Sequence, residues 1–130
     1  MGMIHKILVS LVGLFFTGAG LLWLSNPETG AVQFGITLNG IQGLSTGRAD
    51  VGGMFMAAAV LSFLGLRGGQ LAAGYLNAVA IMMAFVATGR VIGFALDGVV
   101  QMGLVPFVFE VIFLVVMVTA ARSLGTTDDL

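Results

Sequence analysis

The sequence predicts an all-α fold, a bundle of four transmembrane helices, from its composition and from the spacing of its apolar residues. Hydrophobic residues make up 58% of the 130 residues and charged residues only 8%, a balance far more apolar than that of a soluble globular domain. The apolar residues fall into four long runs separated by short polar or glycine-rich segments. Because a helix satisfies its own backbone hydrogen bonds in lipid, each run should be a helix. One domain over residues 1–130 fits this length.

The four predicted spans approach the roughly 20 residues needed to cross the hydrocarbon core of a bilayer, and they cover residues 7–24, 51–66, 71–88 and 104–121. The first run follows Lys6 and could instead be a signal peptide. It exceeds a usual signal core, and no cleavage site of small residues comes directly after it. We therefore expect a retained helix.

The cations predict the orientation of the bundle. Lys6, Arg67 and Arg122 fall on one side of a four-span chain, and by the positive-inside rule that side is cytoplasmic. Arg48 and Arg90 fall on the other side, where acidic residues accompany them. The expected topology is N-in and C-in.

The longest connection, residues 25–47, should lie on the outer side between helices 1 and 2. Apolar and polar residues alternate over residues 32–39 with a strand-like period, and an Asn-Gly turn signal follows at residues 39–40. Either a small hairpin covering the outer mouth or an irregular interfacial loop fits this pattern. Ser45 or Thr46 could cap the second span.

The fourth span is bulky nearly all round, unlike the other three, which carry stripes of small residues that suit close helix packing. Its bulky residues are Phe107, Phe109, Ile112, Phe113, Leu114, Val115 and Val116. This pattern predicts that the span is the outermost helix, facing lipid or another protein. Phe109 and Phe113 lie one turn apart on the same face and are the predicted contacts with a partner.

Five ionisable residues are predicted to meet near the outer ends of the spans: Arg48, Asp50, Arg90, Asp97 and Glu110. Glu110 falls about six residues, or about 9 Å, into the fourth span, where an isolated carboxylate needs Arg48 or Arg90 as a partner. The cluster could be a structural clamp that fixes helix order. It could also line a pocket for a polar head group or small anion with its apolar tail between helices, or remain a set of separate interfacial charges.

Most catalytic and metal chemistry lacks its residues. The chain has no cysteine and a single histidine, His5, at the N-terminus, so we expect no metal, no cofactor and no Ser-His-Asp or Cys-His catalysis. A net charge of −1 with dispersed cations argues against nucleic-acid binding. Proton transfer by Glu110, Asp50 or Asp97 remains and would suit isomerisation of a lipid-soluble substrate. The many methionines could line an adaptable cavity, although filling gaps between helices explains them as well.

Several short segments resemble a known family. They are Asn-Pro at residues 26–27, Gly-Arg-Ala-Asp-Val-Gly-Gly at 47–53, Thr-Gly-Arg at 88–90 and Asp-Gly at 97–98. The chain resembles a family of small bacterial four-helix integral membrane proteins of unknown function, and its layout is similar to that of DoxX-type proteins. The resemblance implies a four-helix bundle in the bacterial inner (cytoplasmic) membrane and implies no activity.

Two functions are compatible with these features. The leading one is non-enzymatic, and the other is ligand binding or isomerisation. The first is a small accessory or scaffold subunit that packs through the fourth span against a larger membrane complex or a second copy. The second is a binder or isomerase of a hydrophobic small molecule whose polar group meets the charged cluster. A closed clamp without a cavity would favour the subunit, whereas a lipid-accessible pocket ending at Arg90 and Glu110 would favour the ligand site.

Overall fold

The computed structural model describes residues 1–125, and within that range the chain is helical and contains no strand. Its helices are α1 (Met3–Ser25), α2 (Pro27–Gln33), α3 (Gly40–Thr46), α4 (Gly53–Arg67), α5 (Ala72–Asp97) and α6 (Gln101–Gly125). A π-helical turn, Gly47–Gly52, joins α3 to α4 without a break.

Four helical runs are long and apolar enough to cross a membrane: Met3–Ser25, Gly40–Arg67, Ala72–Asp97 and Gln101–Gly125. They confirm the predicted all-α fold with four spans. Each run is longer than its predicted span, so that Arg90, which falls just outside the predicted third span, lies inside α5. The difference arises because hydropathy falls at charged and glycine residues, whereas a helix continues through them when tertiary context overrides their propensity.

The four long helices form an antiparallel ring. Contacts join α1 to α4, α4 to α5, α5 to α6 and α6 to α1. Two short connections, residues 68–71 and 98–100, allow this arrangement, and glycines with positive φ end α4 and α5: Gly68 has φ +77° and Gly98 has φ +99°. We call the end that carries residues 26–39 and 98–100 the loop end, and the end that carries Met1, residues 68–71 and Gly125 the termini end.

The connection after α1 differs from both predicted forms, because it is largely helical. Pro27 occupies the first turn of α2, and the Asn26 side chain accepts a hydrogen bond from the Thr29 backbone N–H at 3.3 Å. Both features favour helix initiation. The alternating apolar residues belong to this short helix and to the turn after it. Ser45 and Thr46 do not cap the second span, since the helix runs through them from Gly40.

Small residues bring the helices together in the termini half of the bundle. Gly65 of α4 faces the buried side chain of Leu76 on α5, and Gly13 of α1 faces the ring of Phe63 on α4. Ala120 and Ala121 of α6 are also buried. The same half holds a buried apolar core to which all four long helices contribute, including Val9, Val12, Ala59, Leu76, Val79, Val116 and Met117.

The prediction that the fourth span is the outermost helix is wrong. One third of the most apolar part of α6 is buried, the same share as for α1 and more than the 22% of α5. Phe113 is only 8% exposed, and its ring lies 5.0 Å from Phe15 and 5.4 Å from Phe16. Phe113 is therefore a core residue and not a surface anchor for a partner. The prediction failed because large side chains fill a bundle interior as readily as they face lipid, so their size does not show which way a helix face points.

Candidate ligand-binding cavity

The loop half of the bundle contains a partly open cavity of about 670 Å³. All four long helices and the end of α2 contribute to its wall. Its lining residues are Leu14, Phe15, Phe16, Gly18, Ala19, Leu22, Trp23, Gln33, Phe34, Val51, Met54, Phe55, Ala58, Met82, Met83, Val86, Arg90, Val105, Pro106, Phe109, Glu110 and Phe113. Only Arg90, Glu110 and Gln33 among them bring a charge or an amide, so the wall is almost wholly apolar.

Aromatic rings make up much of the cavity wall and contact one another there. Phe16 of α1 is buried and lies 6.1 Å from Phe55 of α4. Nearer the loop end, Phe34 lies 5.7 Å from Trp23 and 6.2 Å from Phe55. Glycine and alanine contacts let the helices approach in the termini half. In the loop half α1 and the second run also approach closely, since an added Cβ at Gly20 would lie 3.1 Å from a backbone nitrogen of α4.

Two departures from regular α-helix flank the cavity. Pro106 lies inside α6 and in the cavity wall, where its ring removes a backbone donor and crowds the carbonyl one turn earlier. The π-helical turn Gly47–Gly52 precedes α4 and contributes Val51. Such turns are common at functional sites, because they change the direction in which side chains project.

Arg90 of α5 and Glu110 of α6 form an ion pair at the wall of the cavity. Arg90 Nε donates to Glu110 Oε1 at 3.1 Å and to Oε2 at 2.9 Å, and Nη2 donates to Oε1 at 2.6 Å. The side chain of Glu110 is 11% exposed and that of Arg90 24%. Both carboxylate oxygens are thus bound by one guanidinium, a fork geometry that only arginine offers.

The pair lies well inside the helices. Arg90 is seven residues before the end of α5 at Asp97, and Glu110 is nine residues after the start of α6 at Gln101. At about 1.5 Å per residue, these positions are about 10 Å and about 14 Å below the loop end. Arg90 also lines a smaller cleft of about 420 Å³, which reaches Asp97 at that end. Arg90 therefore lies between the apolar cavity and a more polar cleft.

The other three residues of the predicted cluster do not join this pair. Arg48 Nη1 instead donates to the backbone carbonyls of Leu24 and, at 3.2 Å, Ser25, in the last turn of α1. Carbonyls in the last turn of a helix have no helical donor, so an arginine side chain stabilises them well. Asp50 and Asp97 are exposed, and neither forms a side-chain hydrogen bond or ion pair with any residue of the range 1–125. The structure thus joins Arg90 to Glu110 and leaves the other three apart.

Several residues of the cavity were not among the predicted site residues. Trp23 is the sole tryptophan of the chain and is 1% exposed, and Phe34 and Phe55 lie near it. Aromatic residues in apolar runs give no periodic signal that separates a cavity wall from an ordinary core. The methionines gave a weak signal, since Met54 and Met83 do line the cavity.

The cavity residues offer an apolar space and one ion pair. Phe109 and Phe113, predicted as contacts with a partner, both line the cavity. Within residues 1–125, no group of three or more His, Cys, Asp or Glu side chains is placed to hold a metal ion. The cavity walls can accommodate an apolar body, and the guanidinium of Arg90 can donate hydrogen bonds to a polar group.

Comparison with known proteins gives the family of the chain and little else. No curated protein and no solved structure matches the chain. The family described as a domain of unknown function (DUF4345) matches residues 4–121, a range that covers two of the four membrane-spanning runs entirely, most of the other two, and both residues of the ion pair. The chain therefore belongs to the DUF4345 family.

Proposed function

We propose that this membrane protein binds an amphiphilic small molecule, with the apolar body inside the bundle and the polar group at Arg90. The observation that carries the proposal is the cavity itself, whose apolar wall meets one partly buried ion pair, Arg90–Glu110. Apolar pockets of about 300–1,000 Å³ with a few convergent polar groups are typical binding sites for small molecules. A volume of about 670 Å³ lies within that range.

Access from the bilayer between α1 and α6 fits the packing of the bundle. These two helices make the least extensive of the four contacts around the ring. The cavity residues Leu14 and Phe15 of α1 and Val105 and Phe109 of α6 are 47–59% exposed. Phe15 and Phe109 stack across the gap with ring centroids 6.4 Å apart. A lipid-soluble molecule would pass these rings without crossing water.

The alternative function, an accessory subunit, has lost Phe113, one of the two residues on which it rested, while Phe109 is 47% exposed. Phe113 is buried in the bundle, and Phe109 forms part of the cavity wall. An isomerase would need a carboxylate at the cavity that is free to take a proton from substrate. The side chains of Asp50 and Asp97 are free within residues 1–125 but do not line the cavity, and both oxygens of Glu110 accept from Arg90. Binding without chemistry is therefore the function we prefer.

A cavity-filling variant tests this proposal. Ala19 of α1 lines the cavity and is partly buried, so Ala19→Phe should place a ring in the space that the ligand needs. Wild type, purified in mild detergent and analysed by native mass spectrometry, should carry a bound lipid-like molecule. Ala19→Phe should carry much less of it.

The matched control is Ala57→Phe, because Ala57 of α4 is exposed and lies outside the cavity wall. This variant adds the same ring to the same apolar protein and should retain the bound molecule. Equal lipid content in all three proteins would mean that the lipids coat the surface, and the proposal would fail. Wild type that carries a partner protein and no small molecule would favour the subunit instead.

The membrane orientation and location are part of the same proposal. We propose an N-in, C-in protein of the bacterial inner membrane, with the cavity nearer the outer side. Lys6, Arg67 and Arg122 are exposed near the termini end, as the positive-inside rule requires of a cytoplasmic side. Reporter fusions at the C-terminus and within residues 34–39 should report opposite compartments. The same compartment for both would overturn this topology.

A further inference from the structure

The ion pair at the cavity wall carries no net charge, and this limits the kind of polar group that it can receive. Arg90 contributes one positive charge and Glu110 one negative charge, and no other ion pair occurs within residues 1–125. Gln33 is the remaining polar side chain of the wall with an amide, and it is neutral. A ligand therefore meets a site whose charge is already balanced.

The hydrogen-bonding capacity that is left at the pair consists mainly of donors. Glu110 accepts three hydrogen bonds from Arg90, on both of its oxygens. Arg90 uses Nε and Nη2 for these bonds, and Nη1 has no protein acceptor within the described part of the chain. A guanidinium has five N–H groups, so several remain for a ligand. The matching ligand group is an acceptor.

From this balance we infer that the cavity selects an uncharged amphiphile whose polar group accepts hydrogen bonds, such as a ketone or an ester. The inference rests on the proposed function and names its ligand class. A carboxylate or phosphate would place an uncompensated negative charge beside Glu110 in an apolar environment, which is strongly unfavourable. An ammonium group would bring only donors, and a positive charge, to a site that offers donors.

The sole tryptophan provides a direct measure of binding. Trp23 lies in the cavity wall and is 1% exposed, so a bromine atom held in the cavity comes nearer to its ring than one in the surrounding bilayer. Dibrominated stearic acid and its methyl ester have the same chain and differ only in the polar group, which is a charged carboxylate in the one and an uncharged methyl ester in the other. Each would be titrated into the full-length protein in nanodiscs, at a pH at which the bilayer-bound acid is ionised, with quenching of Trp23 as the readout.

We expect the methyl ester to quench Trp23 with an apparent affinity about tenfold or more above that of the acid. Ala19→Phe should abolish quenching by both probes, whereas Ala57→Phe should not change it. Glu110→Gln removes the neutralising charge and leaves Arg90 positive, so in this variant the acid should bind better than the ester. A purely structural role of Glu110 would not reverse the preference.

The outcomes separate the inference from the proposed function. If wild type binds the acid as well as the ester, and Ala19→Phe removes both signals, the cavity binds amphiphiles but the inference on charge is wrong. A preference for the ester that Glu110→Gln does not reverse also overturns it, because another feature then sets the selectivity. If neither probe quenches Trp23, or if Ala19→Phe leaves quenching intact, both the inference and the proposed function fail. The wild-type comparison is decisive even if Glu110→Gln does not fold.

Discussion

The termini half and the loop half of this bundle are built from the same four helices but differ in how far their interiors are filled. In the termini half, glycine and alanine allow close approach, as where Gly65 faces Leu76, and the interior is filled. In the loop half, α1 and the second run also approach closely at Gly20 and Gly52, but large aromatic rings line a cavity of about 670 Å³. The difference shows that a membrane bundle can keep its fold with one well-packed half while the other half leaves space for a ligand.

The two halves also differ in how their buried polar side chains are hydrogen-bonded. Ser62 in α4 is fully buried, and its hydroxyl donates to the carbonyl of Ala58 in the same helix at 2.7 Å. Such a bond needs no neighbouring helix. Arg90 and Glu110 instead satisfy each other across α5 and α6. The Arg90–Glu110 pair of the loop half thus depends on contact between two helices. Arg90 Nη1 donates to no acceptor within residues 1–125.

The largest loss of stability is expected when the Arg90–Glu110 ion pair of the loop half is broken. Arg90→Ala leaves the carboxylate of Glu110 without a partner, and breaking a buried pair in this way costs about 3 kcal/mol or more of stability. Thermal unfolding in detergent measures the loss. Arg67→Ala is the control, because Arg67 is exposed in the last turn of α4. Equal effects of the two substitutions would mean that the ion pair does not stabilise the loop half.

The double variant Arg90→Met with Glu110→Leu sharpens that test. It replaces both charges by apolar groups of similar size, and such replacements of buried pairs are often neutral or stabilising. Much of the stability lost in Arg90→Ala should therefore return, although the preference for an uncharged acceptor should disappear. A double variant no more stable than Arg90→Ala would show that the loss arises from packing of the arginine and not from an unpaired carboxylate.

A smaller difference in stability is expected between alanine substitutions of two buried methionines. Met117 lies in the filled half and is 0% exposed, whereas Met83 is 5% exposed and borders the cavity. Met117→Ala creates a new void and should cost about 3 kcal/mol of unfolding free energy, and Met83→Ala should cost about half of that, because it only enlarges an existing space. Both values follow from denaturation in the same detergent. An equal or greater cost for Met83→Ala would contradict the distinction between the halves.

The smallest pair of effects should have opposite signs. At Gly65, an added Cβ would overlap Leu76 Cδ2 and lie 2.6 Å from Leu76 Cγ, so Gly65→Ala should destabilise the protein by about 1–3 kcal/mol. At Gly18, in the cavity wall, an added Cβ meets nothing within 4 Å. Gly18→Ala should therefore stabilise by about 0.5 kcal/mol through helix propensity. Melting temperatures that fall for both substitutions would argue that the loop half is as tightly packed as the termini half.

Local features of the sequence determined the helical part of this protein. Hydropathy over about 20 residues and the need to satisfy backbone groups in lipid predict four spans, and the structure has four. The depth of Glu110 also predicted a partner, because a carboxylate within a span must be paired. These predictions succeed since each depends on one segment and its solvent.

Only the tertiary structure decided which residues meet. Arg48 and Arg90 follow the same Thr-Gly pair, yet Arg48 caps α1 and Arg90 binds Glu110. Bulky residues of α6 were predicted to face outward, and Phe113 lies in the core. The cavity depends on the faces that four helices turn toward one another and on the volumes of side chains from distant segments. No single segment contains that information, because packing sums over all of them.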